Sequence, residues 1–348
     1  MQKVRWGVLG TARIATVKVI PAMQRGRFSE IVGIASRDRA KATAAARALG
    51  IPKAYGSYEE MLADPEIEAI YNPLPNHLHV PWSVRAAEAG KHVLCEKPIA
   101  MNAPEVLDLI AARERTGVVM GEAFMVRSHP QWLRVVELAR SDAIGELRAV
   151  LCSYGYFKLE ADNIRNVREY GGGGLMDIGC YPVNISRMVF GEEPRRVSAS
   201  IVRDARFGGI DRTTTAILEY PSGHCLFTCG TQVVNNQSVQ ILGTKGRITL
   251  DIPFNALPNE ISRIRIDDGS DLEGRGVKVE EIAPCDQYTL QGDLFSRAVR
   301  ENGEPPVPLE DALRNMAVID AVFRSGETGN WETPSWPARA QSGPVHPR

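Results

Sequence analysis

Over the first 125 residues, short apolar runs alternate with helix-length amphipathic stretches, and this rhythm constrains the fold more than any other feature of the chain. "KVRWGVLG" reads as a strand and residues 12–25 as a helix. "EIVGIAS" is the next strand, and "DRAKATAAARALG" a helix running from an Asp38 cap to Gly50. Ser57 and Glu60 of "SYEE" form a capping box that opens a short helix. "EAIYNPL" is a strand, and "PWSVRAAEAG" a helix stopped by Gly90. "KHVLCE" is a strand, "APEVLDLIAARERTG" a helix with Pro104 in its first turn, and "VVMGEAF" another strand. Strands alternating with helices of about 10–15 residues predict βαβ units and a parallel sheet. Right-handed crossovers make such a sheet doubly wound.

Beyond about residue 126 the rhythm changes. A helix fits 130–140, and longer β-branched and aromatic runs follow: "ELRAVLCSYGYF", "RRVSASIVRD", "TTTAILEY", "HCLFTCGTQV", "SVQILGT" and "GRITLDI". Turn pairs such as "PSG" and "TKG" separate several of them. The expectation is an α+β domain over 126–331 with an open, mostly antiparallel sheet, following an α/β domain over 1–125. Helical patterns at 173–190, 286–302 and 309–325 can cover one face of that sheet. "TTTAILEY" and "HCLFTCGTQV" carry apolar or β-branched residues on both sides, so the other face predicts a symmetric homo-oligomer, most simply a dimer. The Pro-rich tail, 332–348, is expected to be extended or loosely docked.

A chain of 348 residues exceeds the usual limit of about 250–300 for one core, which also favours two domains. With 44% hydrophobic and 24% charged residues it has an ordinary globular composition. The net charge of −1 and the lack of Lys/Arg runs argue against nucleic-acid binding. The six cysteines, Cys95, Cys152, Cys180, Cys225, Cys229 and Cys285, form no Cys-x-x-Cys pair, so no metal is expected. His77 and His79 lack a third ligand nearby in sequence, which gives the same answer. "MQKVRWGVLG" enters a strand at once without the regions of a signal peptide, and no apolar run reaches about 18 residues. No membrane association is expected, and the cytoplasm is the default location.

"GTARIA" follows the first strand directly. It matches Gly-x-Gly-x-x-Gly/Ala with Ala12 in the middle position. Gly10 can make the tight turn, Ala12 lets a pyrophosphate approach, and Ala15 lets the helix pack on the strand. Thr11, Arg13 and Ile14 complete the loop, whose helix offers free N–H groups to phosphate. At the end of the second strand stand Ser36 and Arg37, with Lys41 one helical turn on. A hydroxyl and two cations suit a 2′-phosphate, which favours NADP over NAD. Asp38 as a ribose reader is the alternative, although it is better explained as a helix cap.

"GVLGTARIA", "YNPLPNHLH", "AGKHVLCEKP" and "GGGGLMDIGCY", in that order and at that spacing, resemble the glucose–fructose oxidoreductase/inositol dehydrogenase (Gfo/Idh/MocA) family over about residues 3–330. The branch most resembled comprises NADP-dependent D-xylose dehydrogenases and dimeric dihydrodiol dehydrogenases. The resemblance implies an N-terminal Rossmann domain followed by an open mixed sheet, with substrate between them and dimers or tetramers formed through the sheet. It implies a catalytic lysine at Lys97 within Glu96-Lys97-Pro98, with a cis bond before Pro98. Glu96 would contact the cofactor or orient Lys97. In the glycine-rich segment Gly171–Tyr181, Asp177 would orient substrate or Lys97. Tyr181 stands where many members have His, which makes it a rival of Lys97 as proton donor.

Pro73 and Pro75 stiffen a loop, with Leu74, Asn76 and His77, that would cross the nicotinamide ribose. Asn76 could also cap the following helix. Arg165 matches a position lining the cofactor cleft. Glu122, Arg127 and His129 fall at the domain crossing, where structural salt bridges would look the same, and Phe124, Tyr156 and Tyr288 read as cleft or core aromatics. The function these readings imply is hydride transfer between nicotinamide and a carbinol or carbonyl carbon of a sugar or polyol. Activity on a cyclic diol and a non-catalytic dinucleotide-bound sensor are the alternatives.

Overall fold

The computed structural model describes residues 1–337, so the tail expected over 332–348 lies outside the described residues from 338 onward. The chain begins with β1 (Val4–Leu9), a π-helical turn over Ala15–Val19 that continues into α1 (Ile20–Gln24), β2 (Ser29–Ala35), α2 (Arg39–Leu49), β3 (Lys53–Tyr55) and α3 (Tyr58–Leu62). It continues through β4 (Ala69–Asn72), α4 (His79–Glu88), β5 (His92–Glu96), α5 (Ala103–Thr116) and β6 (Met120–Ala123). Then come α6 (Pro130–Arg140), β7 (Leu147–Phe157), α7 (Cys180–Phe190), β8 (Arg196–Asp204), β9 (Ile210–Glu219), β10 (His224–Gly230) and β11 (Gln232–Gly243). Last are β12 (Arg247–Leu250), β13 (Ser262–Asp267), β14 (Val277–Ile282), α8 (Gln287–Glu301) and α9 (Leu309–Thr328).

Two compact units result. The first comprises Met1–Ser128 with Asp286–Ala312, and the second His129–Cys285 with the described residues from Leu313 to 337. The first holds a six-stranded sheet in the order β3-β2-β1-β4-β5-β6, parallel throughout. The order reverses between β1 and β4, the switch point at which open α/β sheets bind ligands beyond the carboxyl ends of their strands. Helix boundaries follow their sequence signals. The Asp38 side chain accepts from the Ala40 and Lys41 N–H groups, and Gly50 ends α2 in the left-handed region. Ser57 Oγ accepts from Glu60 N at 3.1 Å, while the Glu60 carboxylate returns to Gly56 N at 3.0 Å, one residue beyond the usual capping box.

The second unit holds eight strands in the order β14-β13-β12-β11-β7-β10-β9-β8. All its pairings are antiparallel except β7 with β10. One face of the central strands buries Cys152, Phe227 and Ala216. On the other, Leu226 lies opposite Leu151 and Ile217, and Thr228 opposite Ser153 and Thr215. That open face is therefore built of alternating aliphatic and hydroxyl rows, less apolar than the strands' composition implied. The start of the tail is held by an antiparallel bridge between Val197 and Glu332.

One expectation is corrected. The helix over 286–302 was expected to cover the second sheet, but α8 packs in the first unit. The Phe295 ring packs tilted, with its centre 5.4 Å from that of Trp6, whose indole N–H donates to Ser296 Oγ at 3.1 Å. Ser296 Oγ meets Ser29 Oγ at 3.0 Å, and Arg300 holds both oxygens of Glu68 at 2.8 Å. An amphipathic pattern shows that a helix has a buried face but not which sheet it covers. The division at 125/126 and 331/332 accordingly gives way to one in which the chain returns to its first unit.

Phe295 is fully buried, and its truncation to alanine removes the aromatic contact to Trp6. Phe295→Ala should cost about 3–5 kcal/mol. Urea unfolding checks this, and a loss near zero would mean that α8 is not part of this core.

Candidate functional site

In the first unit, the carboxyl ends of β1, β2, β4 and β5 supply the residues singled out from sequence. Gly10 adopts φ +82, a conformation that disfavours a side chain, and a Cβ there would lie 3.0 Å from Leu74 and 3.6 Å from the Tyr58 hydroxyl. Thr11 to Ile14 follow as the entry to the helical stretch, whose first N–H groups have no acceptor within their own helix. Ser36 is buried, and its hydroxyl accepts from Asp38 N at 3.2 Å. Arg37 is exposed, and while burial raises the pKa of the Tyr58 phenol, the Arg37 guanidinium lies near enough to lower it by less. The same guanidinium joins burial in depressing the pKa of His77. Gly10, Leu74, Tyr58, Arg37 and His77 thus share one neighbourhood. Lys41 is exposed on α2.

The loop after β4 is organised by Asn72, which is fully buried. Its Oδ1 accepts from Leu74 N at 3.3 Å, and its Nδ2 donates to the His79 carbonyl and to Ser83 Oγ, both at 3.0 Å. Pro73 is buried and Pro75 half-buried, and Asn76 opens the short turn Asn76–Leu78 that leads into α4. His79 contacts the Leu74 carbonyl at 2.6 Å and the Pro98 carbonyl at 2.8 Å. Burial pushes its pKa down to about 4, against the upward pull of these two carbonyls. His79 therefore ties this loop to Glu96-Lys97-Pro98. The Lys97–Pro98 bond is cis, and Lys97 N lies 3.2 Å from Glu96 Oε2. Glu96 Oε1 accepts from the buried Tyr71 hydroxyl at 2.7 Å, and burial followed by Glu96 raises that phenol's pKa.

Glu122 is buried and takes Ile99 N at 2.9 Å, which fixes the segment after Pro98. Arg127 lies 4.0 Å from Asp311, and His129 caps α6 through Gln131 N. Phe124 is buried, and Tyr288 packs against the first unit's core.

In the second unit the glycine-rich segment opens a π-helical turn, Leu175–Gly179, that runs into α7. Such turns recur at functional sites. Asp177 Oδ2 accepts from the Tyr156 hydroxyl at 2.6 Å and from Arg165 Nε at 2.9 Å. Burial and then Asp177 raise the Tyr156 pKa, and Asp177 is the main cause of the rise at Arg165. Tyr181 is buried, with ring centres of Phe254 at 5.2 Å and Tyr154 at 5.5 Å. Tyr154 and Tyr156 are two apart on β7 and so share a face. The segment therefore runs along β7 with Asp177 over Tyr156 and Tyr181 over Tyr154. Arg165, expected to line the cofactor cleft, is here an Asp177 partner.

Sequence reasoning did not single out Tyr58, Tyr71, Asn72, Tyr154, Asp211 or Phe254 for the site. Only their neighbours across strands reveal them, since each alone reads as a core aromatic or a turn polar residue. Among the described residues no group of three or more His, Cys, Asp or Glu side chains could hold a metal ion, and no helix is long and apolar enough to cross a membrane.

Comparison with known proteins extends this picture. Residues 4–124 match the GFO/IDH/MocA oxidoreductase family with its NAD-binding Rossmann fold, and residues 132–249 match the GFO/IDH/MocA C-terminal domain. The chain is 48% identical over 334 residues to an uncharacterized oxidoreductase of Rhizobium meliloti, covering 96% of this chain and 100% of that protein. It is 39% identical over 327 residues to a D-xylose 1-dehydrogenase (NADP(+)) of Haloferax volcanii, covering 93% and 98%. Among solved structures it resembles a 3-ketoreductase from Actinomadura kijaniata in complex with NADP and TDP-benzene, with a TM-score of 0.87, 27% identity and coverage of 93% and 98%.

Gly173 sits at φ +115, where an added Cβ would collide with Asp211 Oδ1. Gly173→Ala should lower stability by about 2 kcal/mol or more, through left-handed strain and displacement of a buried carboxylate. A denaturant titration followed by tryptophan fluorescence measures this. A neutral result would mean the loop relaxes freely.

Proposed function

We propose that this chain, which belongs to the GFO/IDH/MocA oxidoreductase family, is an NADP-dependent dehydrogenase or reductase acting on a CH–OH group of a sugar or polyol. The observation that carries the reading is Lys97 at the carboxyl end of β5, in a turn fixed by Glu96 on one side and by the His79 contact to the Pro98 carbonyl on the other. Bound nicotinamide would supply the hydride acceptor or donor. The chain's own residues then do three things.

Gly10 and the helical entry Thr11–Ile14 bind pyrophosphate, and Ser36, Arg37 and Lys41 take the 2′-phosphate. The residues fit this group: Gly10 has the backbone conformation of the tight turn, Arg37 presents an exposed guanidinium beside Tyr58, and Asp38 is engaged as the α2 cap and not as a ribose reader. The loop of Pro73, Leu74, Asn76 and His77 orients the nicotinamide ribose, with Glu96 contacting the cofactor. Lys97 exchanges the proton of the reacting oxygen, with the Tyr181 phenol as rival donor, while Asp177 orients substrate or Lys97 and Arg165, its ion-pair partner, lines the cofactor cleft. The D-xylose 1-dehydrogenase among the relatives supports a sugar and NADP. In the Actinomadura ketoreductase, a lysine and a tyrosine at the same chain separation as Lys97 and Tyr181 have each been substituted in solved NADP complexes, which supports this pairing of roles. A cyclic diol is the second reading, favoured by the rings of Tyr154 and Phe254 beside Tyr181. The open rows of Leu151, Leu226 and Ile217 support assembly of two or four chains through the second sheet.

Lys97→Met should leave NADP binding nearly intact and cut turnover by about 10²–10⁴ across a panel of aldoses, polyols and diols. Turnover within a few-fold of the parent would refute the role of Lys97, and an equal loss in Tyr181→Phe would make the phenol the direct donor. Arg37→Ala should weaken NADP by about tenfold or more and leave NAD nearly unchanged, because a charge-assisted bond is worth roughly 1.5–3 kcal/mol. Equal calorimetric affinities of the parent for the two cofactors would overturn the 2′-phosphate assignment. Light scattering should give a mass of about two or four chains, and a single-chain mass would refute assembly.

A further inference from the structure

Asp211 begins β9 and is 1% exposed, yet no lysine or arginine is hydrogen-bonded to it among the contacts of the described residues. Its Oδ2 accepts from the Leu175 N–H at 2.6 Å and from Thr214 Oγ1 at 2.9 Å. Leu175 is the first residue of the π-helical turn that carries Asp177 and leads to Tyr181. The glycines before it leave the carboxylate room: a Cβ at Gly173 would collide with Oδ1, and one at Gly174 would come within 3.3 Å of Oδ2. On its other side the same glycine run is seated against the backbone near Arg165, with Gly173 N donating to the Arg165 carbonyl at 2.9 Å and Gly172 N to that of Val167 at 3.0 Å. The loop is thus clamped between Asp211 and the segment that supplies Arg165 to Asp177.

We propose that Asp211 is a positioning residue for the Asp177–Tyr181 segment: its carboxylate takes the leading N–H of the turn and fixes where Asp177 meets Tyr156 and Arg165. The proposal rests on the reading that Asp177 and Tyr181 serve the reaction. An ionised carboxylate at the start of a helical turn is favoured by the backbone dipoles, and its bond to an N–H is stronger than that of a neutral acid. Burial opposes the charge and raises the Asp211 pKa to about 6, while the Leu175 N–H, the Thr214 hydroxyl and, more weakly, Arg203 from β8 lower it. From β10 the Cys229 thiol faces the same carboxylate, its own pKa raised first by burial and then by Asp211. The clamp therefore loosens as pH falls through about 6 and Asp211 gains a proton.

The linkage to stability has the opposite sense. A carboxyl whose pKa is higher folded than unfolded contributes stability below its unfolded pKa, and that contribution is lost as pH rises through about 6. Asp211 in its active, ionised form is thus a destabilising group retained for position.

Two variants test this. Asp211→Asn keeps an acceptor oxygen but cannot titrate, and Asp211→Ala removes the acceptor. In the parent, kcat should show an acid limb near 6 that Asp211→Asn lacks. Asp211→Ala should lose about tenfold or more in kcat at pH 8 with the cofactor KM little changed. Independently of activity, the melting temperature of Asp211→Asn should rise relative to the parent between pH 5 and 7. Amides of residues 174–181 should exchange faster in Asp211→Ala and at a rate between those of the parent and Asp211→Ala in Asp211→Asn, whose neutral oxygen still accepts but binds the N–H less strongly than a carboxylate. An acid limb unchanged in Asp211→Asn, or exchange in Asp211→Ala at the parental rate, would overturn the proposal. Should the parent turn over no substrate of the panel, the functional reading fails by itself, and the exchange and melting data still decide whether Asp211 holds the turn.

Discussion

The buried backbone groups in the loops at the carboxyl edge of the first unit's parallel sheet need hydrogen-bond partners. Buried side chains at successive strand ends supply them. Asn72, closing β4, takes the Leu74 N–H and donates to the His79 carbonyl. Glu96, closing β5, holds the Tyr71 hydroxyl, and Glu122 on β6 takes the Ile99 N–H. His79 completes the frame by lying between the carbonyls of Leu74 and Pro98, one of which takes the single N–H of its neutral ring. An unmet buried N–H or C=O costs roughly 1–3 kcal/mol, so these bonds fix the loops as firmly as packing fixes the strands. Lys97 inherits its position from them.

The second unit solves a related problem with carboxylates. Asp177 gathers a phenol and a guanidinium, while Asp211 gathers a backbone N–H and a hydroxyl. Both carry directed donors, and Asp211 also depends on Gly173 and Gly174, which let the backbone come close to it. The π-helical turn between them sets Asp177 over Tyr156 and leaves Tyr181 against Tyr154 and Phe254. Asp177 pairs with the Arg165 guanidinium, whereas among the described residues no Lys or Arg is hydrogen-bonded to Asp211, whose pKa burial raises to about 6.

Much of this was legible before any coordinates. The alternation of strand and helix specified a parallel sheet, and caps at Asp38 and Ser57 marked helix starts because a short polar side chain beside an orphan N–H is a local event. The Gly10 turn, the Glu96-Lys97-Pro98 edge and the Gly171–Tyr181 segment were recognised by residue type and spacing. Asn72, Tyr71, Tyr58 and Asp211 were not, since each acts on a group far away in sequence: Asp211 reaches Leu175, and Tyr71 reaches Glu96.

The sequence by itself determined most of the strands and helices, though not the short β3 or the strands β13 and β14, together with the two-part organisation and the family, because propensity, capping and motif order are properties of neighbouring residues. Tertiary structure alone decided that α8 returns to the first unit, that the open face of the second sheet is striped rather than apolar, and that Arg165 pairs with Asp177. Those outcomes depend on which surfaces meet. A helix with one apolar stripe fits several sheets equally well by pattern, and only the shape and hydrogen-bond partners offered by Trp6, Ser29 and Glu68 select among them.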